Sequence, residues 1–147
     1  MAKGVLRFFF DYGAGGCLWA GDSMTLASLD GGPVDATLYD LEGKIRRKPK
    51  VVLSNVAQQL RDQLDAAHSR YLNPIYPPDP SLWKQALCER FNSRVDHLLA
   101  LLRLELGEDH EILDQQPRYA EDPRLRGYLA TNPGLAALEE LVELAVR

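Results

Sequence analysis

Cysteine is scarce in this 147-residue sequence: there are two, Cys17 and Cys88. They form no CxxC pair, and no Cys/His cluster falls at metal-ligand spacing, so neither a disulfide framework nor a zinc ribbon is expected. Two free thiols in a reducing compartment is the expectation, and hence a cytoplasmic location. Long apolar runs are also missing. No window approaches the ~20 apolar residues of a membrane span, and the opening segment Met1–Asp11 has too short an apolar run for a signal peptide. No membrane partner is expected. A basic excess is lacking as well: 17 Lys and Arg stand against 21 Asp and Glu, a net charge of −4. That argues against bulk nucleic-acid binding, which shows a basic surface. The three histidines make no HxxxH or HExxH pattern. His97 beside Asp96, and His110 among Glu108, Asp109 and Glu111, read as polar residues near a helix end.

What is present describes a folded domain. Hydrophobic residues make up 46% and charged residues 26%, ordinary proportions for a globular chain. The length fits one domain over 1–147, large enough to bury a core without staples.

Val5 to Phe10 reads as a strand, rich in aromatic and branched residues. Asp11-Tyr12-Gly13-Ala14-Gly15-Gly16 breaks it, and Cys17-Leu18-Trp19-Ala20 resumes an apolar run, so a hairpin is expected. From Gly21 to Lys50 the pattern is weak. Asp30-Gly31-Gly32-Pro33 is a turn, Val34–Leu41 is a short strand or one helical turn, and Lys44–Lys50 is basic. Ser54 can cap a helix running to Tyr71, with Val56, Leu60, Leu64, Ala67 and Tyr71 on one face. Pro74, Pro77, Pro78 and Pro80 cannot continue it. Asp79 or Ser81 opens a long helix with the stripe Trp83, Leu87, Phe91, Val95, Leu98, Leu102 and Leu106, closed by Gly107. Glu111–Asp114 fits a short strand beside the N-terminal one. Asp122-Pro123 opens a short helix through Leu129, and Asn132-Pro133 opens a last, almost wholly apolar helix through Val146.

The expected fold is therefore α+β: a small antiparallel sheet, made of the N-terminal hairpin and one or two short strands, packed on a helical layer with one long central helix.

Four features bear on function. An apolar strand ending in Asp11, a glycine turn and a second apolar run look like the first phosphate-binding hairpin of the ribonuclease H-like fold. That resemblance implies a divalent cation on Asp11 and phosphate near the Gly13–Gly16 amides. Asp22 is a second candidate carboxylate, but no later strand supplies the partner acids. Cys17 follows the glycines, where free amides can lower a thiol pKa and make a nucleophile; the competing reading is a small buried side chain. Arg46 and Arg47 lie in the basic run, able to meet phosphate or an acidic partner, although a solvated loop is the favoured account of it. Tyr71, Tyr76 and Trp83 flank the proline connector, where rigid aromatics suit protein contact; Tyr12 and Trp19 belong with them as binding candidates.

Gly13, Cys17-Leu18-Trp19, Pro33-Val34-Asp35, Tyr76–Trp83 and Arg90-Phe91-Asn92 resemble small uncharacterised bacterial single-domain proteins. The resemblance implies no activity. The residues point to a non-catalytic protein-binding or regulatory domain of inhibitor or immunity type, with no cofactor. Self-association through the helix near 134–146 is expected. The alternative is a metal-dependent nuclease or phosphoryl hydrolase using Asp11.

Overall fold

Leu6, Phe8 and Phe10 alternate with Val5, Arg7 and Phe9, and that alternation decides which way the first strand faces. In the computed structural model, which describes residues 3–135, β1 (Gly4–Phe8) turns Leu6 and Phe8 fully inward. The opposite face, with Arg7, stays partly open. β1 is the centre of a three-stranded sheet in the order β2-β1-β5. β2 (Leu18–Ala20) pairs with it antiparallel, Arg7 opposite Trp19. β5 (His110–Asp114) pairs with it parallel, Arg7 opposite Leu113.

The α+β architecture and the neighbour of β1 are as expected; the sheet is mixed rather than antiparallel. The physical reason is the connection. β5 is reached only after three helices have intervened, and a long connection returns a strand in the parallel sense where a tight hairpin cannot.

The weakly patterned segment 21–50 holds three elements. α1 (Ser23–Leu29) is capped by Asp22, whose carboxylate accepts the Thr25 amide at 2.8 Å. β3 (Leu38–Tyr39) and β4 (Ile45–Arg47) form a separate antiparallel hairpin. Its turn is held by Asp40, which accepts the Glu42 and Lys44 amides at 2.9 Å each.

α2 (Asn55–His68) begins at Ser54, whose hydroxyl accepts the Ala57 amide at 3.2 Å. Its buried face differs from the aliphatic stripe read above. Ala57, Arg61, Leu64, Ala67 and His68 are buried, and Val56 is 64% exposed. The helix is rotated because Arg61 and His68 find partners inside, described below.

The segment 69–84 is an ordered connector. Asn73 is buried, donating to the Pro80 carbonyl at 2.9 Å and accepting the Ile75 and Tyr76 amides. The Ser81 hydroxyl donates to the Tyr71 carbonyl. Ser81 is thus occupied, and α3 (Gln85–Leu106) starts later than expected, at Lys84 with no side-chain cap. Over 22 residues, it is about 33 Å long. Leu87, Cys88, Phe91, Val95, Leu98, Leu99 and Leu102 are its buried residues. They form the core with Leu6, Phe8 and Ile112 of the sheet and Leu64 of α2. Burying a side chain of this size stabilises by about 1.5–3 kcal/mol, before the entropy of ordering is set against it.

α4 (Leu125–Thr131) and a 3-10 turn at Pro133–Leu135 follow, with Leu125 and Leu135 buried. The helix expected from Pro133 through Val146 opens as this 3-10 turn, and the rest of it, with the self-association expected near 134–146, lies from residue 136 on, outside the described residues. Among the described residues, no helix is long and apolar enough to cross a membrane.

Candidate functional site

The glycine hairpin is held down by one face of α2. Gly13 (φ 70°) and Gly15 (φ 80°) occupy the left-handed region that glycine adopts without strain. The Gly13 amide donates to the Ser69 hydroxyl at 3.2 Å, and the Gly15 amide donates to Asp65. The Cys17 amide donates to the Asp35 carboxylate at 3.0 Å, as does the Leu18 amide. Asp35 is buried, and Arg61 reaches it at 3.3 Å while also contacting Asp62 at 2.9 Å. Arg61, Asp65 and Ser69 are four residues apart, so one side of the helix and its C-cap anchor the hairpin: Asp65 and Ser69 accept its amides, and Arg61 holds the Asp35 carboxylate that accepts two more. This is why α2 buries polar groups where the aliphatic pattern pointed elsewhere.

Gly16 has no room for a side chain. A Cβ there would lie 2.6 Å from both Asp35 Oδ1 and Pro33 Cβ.

The hairpin leads Tyr12 over the imidazole of His68, with ring centroids 4.5 Å apart. Beneath lies an open pocket of about 380 Å³ at the carboxyl ends of the parallel strands β1 and β5. Phe9, Phe10 and Tyr12 come from the chain leaving β1; Gln115, Pro117 and Tyr119 come from the chain leaving β5. His68 is supplied by the end of α2, and Arg7 sits at the rim.

Both exits are fixed by side-chain amides. Gln116 accepts the Phe10 amide at 2.8 Å. Asn92 of α3 accepts the Tyr119 amide at 2.9 Å and donates to its carbonyl at 2.8 Å. The Tyr119 hydroxyl lies 3.2 Å from His68 Nε2. Its ring stacks on Tyr71 at 4.1 Å, and Trp83 meets both rings edge-on. On the other side, Phe9 stacks on Trp19 at 5.0 Å, and the Trp19 indole donates to the Phe9 carbonyl at 3.1 Å.

Electrostatically, the pocket is quiet at its centre. Burial lowers the His68 pKa from its ordinary value, opposed by the nearby Asp11 carboxylate, so the imidazole is neutral at pH 7. Burial pushes the Tyr119 hydroxyl up to about 12. Tyr12 is raised too, by burial and then by Asp11.

Three of the binding candidates from the sequence, Tyr12, Tyr71 and Trp83, therefore join one aromatic array through His68 and Tyr119, while Trp19 backs the pocket residue Phe9. Their exposures differ. Tyr12 is 45% exposed, whereas Trp83 is 1% exposed and supports the array from within. The others lie apart. Tyr76 is on the exposed tip of the proline connector. Arg47 braces the β3–β4 hairpin, donating to the Gly31 and Pro33 carbonyls at 2.8 and 3.2 Å, while Arg46 is exposed.

Cys17 follows the buried-side-chain reading and not that of an activated thiol. It is fully buried, and its pKa is raised well above the ordinary value by burial first and the Asp35 carboxylate second. The amide next to it is spent on Asp35 rather than offered to a thiolate. Asp11 is exposed and accepts the Tyr12 amide at 2.9 Å, and Asp22 is used as the cap of α1. Among the described residues, no group of three or more His, Cys, Asp or Glu is placed to hold a metal ion.

Arg7, Phe9, His68, Gln116 and Tyr119 were not read as site residues from sequence. The alternation of β1 puts Arg7 and Phe9 together on the open face, a usable signal. The convergence of His68 and Tyr119 depends on tertiary packing. Comparison with protein-family models, with curated proteins and with solved structures finds no match.

Proposed function

We propose that this is a non-catalytic binding domain of regulatory type, which receives a short segment of another protein in the pocket between Tyr12 and Tyr119. The observation carrying this reading is an open pocket walled by aromatic rings whose backbones are already fixed by Gln116 and Asn92. A preformed aromatic wall loses little entropy on binding, the condition under which tyrosine and tryptophan dominate recognition. A neutral imidazole and a strongly protonated tyrosine supply hydrogen bonds without a nucleophile. The volume sits at the small end of ligand pockets and suits one or two side chains.

The experiment is site-specific photo-crosslinking. Tyr12→p-benzoylphenylalanine in the full chain is expected to yield a discrete protein adduct in native lysate, competed by unlabelled wild-type protein and not by a Phe9→Ala variant. Val56, exposed and remote in role, carries the control crosslinker. Adducts that are the same from both positions would refute the reading.

A further inference from the structure

Among the described residues, Arg7 is the one cation lining this pocket, and those residues leave its terminal nitrogens unspent. It projects from β1 between Trp19 on β2 and Leu113 on β5, its partners in register, and the acid of β5 on the same face, Glu111 opposite Val5, makes no ion pair with it. Its Nε donates to the Ala20 carbonyl at 3.3 Å, and its Cζ stands 5.4 Å from the centre of the Phe9 ring. The two terminal nitrogens have no acceptor among the described residues. A guanidinium so fixed presents a planar fork suited to bidentate capture of a carboxylate. Asp114, at the end of β5, is engaged elsewhere: it pairs with Arg118 at 2.9 Å, which also holds Asp96 at 2.8 Å.

Beside Arg7, the lining is aromatic: Phe9, Phe10, Tyr12 and Tyr119. The Asp11 carboxylate, next to Tyr12 in sequence, acts on both Tyr12 and His68. Among the described residues, the pocket thus combines one cation with an aromatic wall.

We propose that the pocket recognises an aromatic ring bearing a carboxylate a short distance away, with the ring against Phe9 and Tyr12 and the carboxylate on Arg7. This rests on the reading of the pocket as a binding site, and it narrows what is bound. The same chemistry is offered by a phenylalanine or tyrosine next to an acidic residue in a protein segment, and by a free aromatic acid.

The test uses the full chain and four probes: phenylacetate, its neutral counterpart phenylacetamide, acetate, and the capped dipeptide acetyl-Asp-Phe-amide. Binding is followed by amide and indole NMR shifts at Phe9, Tyr12, Gln115 and Trp19. Phenylacetate is expected to bind about tenfold more tightly than phenylacetamide, the scale of one charge-assisted contact. Arg7→Gln is expected to erase that difference, and Arg7→Lys to keep part of it; thermal unfolding checks that both variants fold. A dipeptide tighter than phenylacetate assigns the ligand to a protein segment, and the reverse order assigns it to a free acid. Equal binding of phenylacetate and phenylacetamide, binding of acetate as tight as that of phenylacetate, or no shifts in this pocket at millimolar probe overturns the proposal. Failure of the probes with a specific Tyr12 crosslink removes only the ligand class; failure of both removes the binding reading itself.

Discussion

The Tyr12 ring lies over the His68 imidazole at 4.5 Å with the planes 26° apart, so a half-exposed hairpin residue shields a buried base. Removing that ring admits water to His68. Tyr12→Ala is therefore expected to raise the His68 pKa toward its ordinary value, because burial is what lowers it. In the wild type the unfolded chain binds the proton more readily than the folded one, so stability falls as pH drops from about 6.5 through the folded pKa. The variant should lose most of that slope and about 0.5–1.5 kcal/mol of stacking. Imidazole NMR titration and urea unfolding across pH 5–8 measure both; an unchanged titration would show that Tyr12 is not the shield.

Some of this was legible beforehand and some was not, for physical reasons. α3 could be placed because its buried positions are aliphatic or aromatic at helical spacing. The same rule misplaced the face of α2, since Arg61 and His68 are buried by polar partners that lie far away in sequence. Asp35 sits in the short stretch Pro33-Val34-Asp35 with no local mark of its task, because its partners are the amides of residues 17 and 18. The parallel sense of β5 is likewise a property of the crossover and not of His110–Asp114. The aromatic site was half visible: Tyr12, Trp19, Tyr71 and Trp83 stand out as residue types, but the convergence of Tyr12, Tyr71 and Trp83 on His68 and Tyr119, and of Trp19 on Phe9, exists only in the folded chain.

Asp65 shows a cost carried by the hairpin anchor. Burial raises its pKa, with Asp62 and Asp35 adding to the effect against the Gly15 amide and Arg61, and its Oδ1 is buried without a partner. A carboxyl raised in the folded state favours folding most when protonated, and that contribution is lost as pH rises through the folded pKa. Asp65→Asn keeps an acceptor for Gly15 and removes the charge. It is expected to stabilise the protein at pH 7 by up to about 1 kcal/mol, with the advantage shrinking toward acid. Melting curves of both proteins at pH 4 and pH 7 decide it; a variant less stable at both would mean the negative charge itself holds the hairpin.

Asp35 and Arg61 form a pair whose side chains are 0% and 9% exposed. Asp35→Ala would leave the buried Arg61 charge with only the exposed Asp62 as its ion partner, and the Cys17 and Leu18 amides without an acceptor. Such a break costs about 3–5 kcal/mol. Adding Arg61→Met removes that charge, so the double variant should be more stable than Asp35→Ala alone. Urea unfolding of the four proteins gives the coupling energy, and simple additivity would contradict the pairing.

Gly16 and Gly13 separate crowding from backbone strain within the same turn, and Cys17 reports on both. The thiols of Cys17 and Cys88 are buried and raised, Cys88 to about 11, so the native protein should react very slowly with a maleimide or a disulfide reagent. A Cβ at Gly16 meets Asp35 Oδ1 at 2.6 Å, whereas one at Gly13 meets nothing within 4 Å. Gly13→Ala therefore pays only for its left-handed backbone, about 1–2 kcal/mol, and should leave Cys17 protected. Gly16→Ala must push the hairpin off the carboxylate that anchors the Cys17 amide, so Cys17 should label much faster while Cys88, on α3, stays protected. Peptide mapping after timed labelling distinguishes the sites. Equal labelling of both cysteines would mean global unfolding, and protection of Cys17 would mean that Pro33 and Asp35 can yield to the added methyl group.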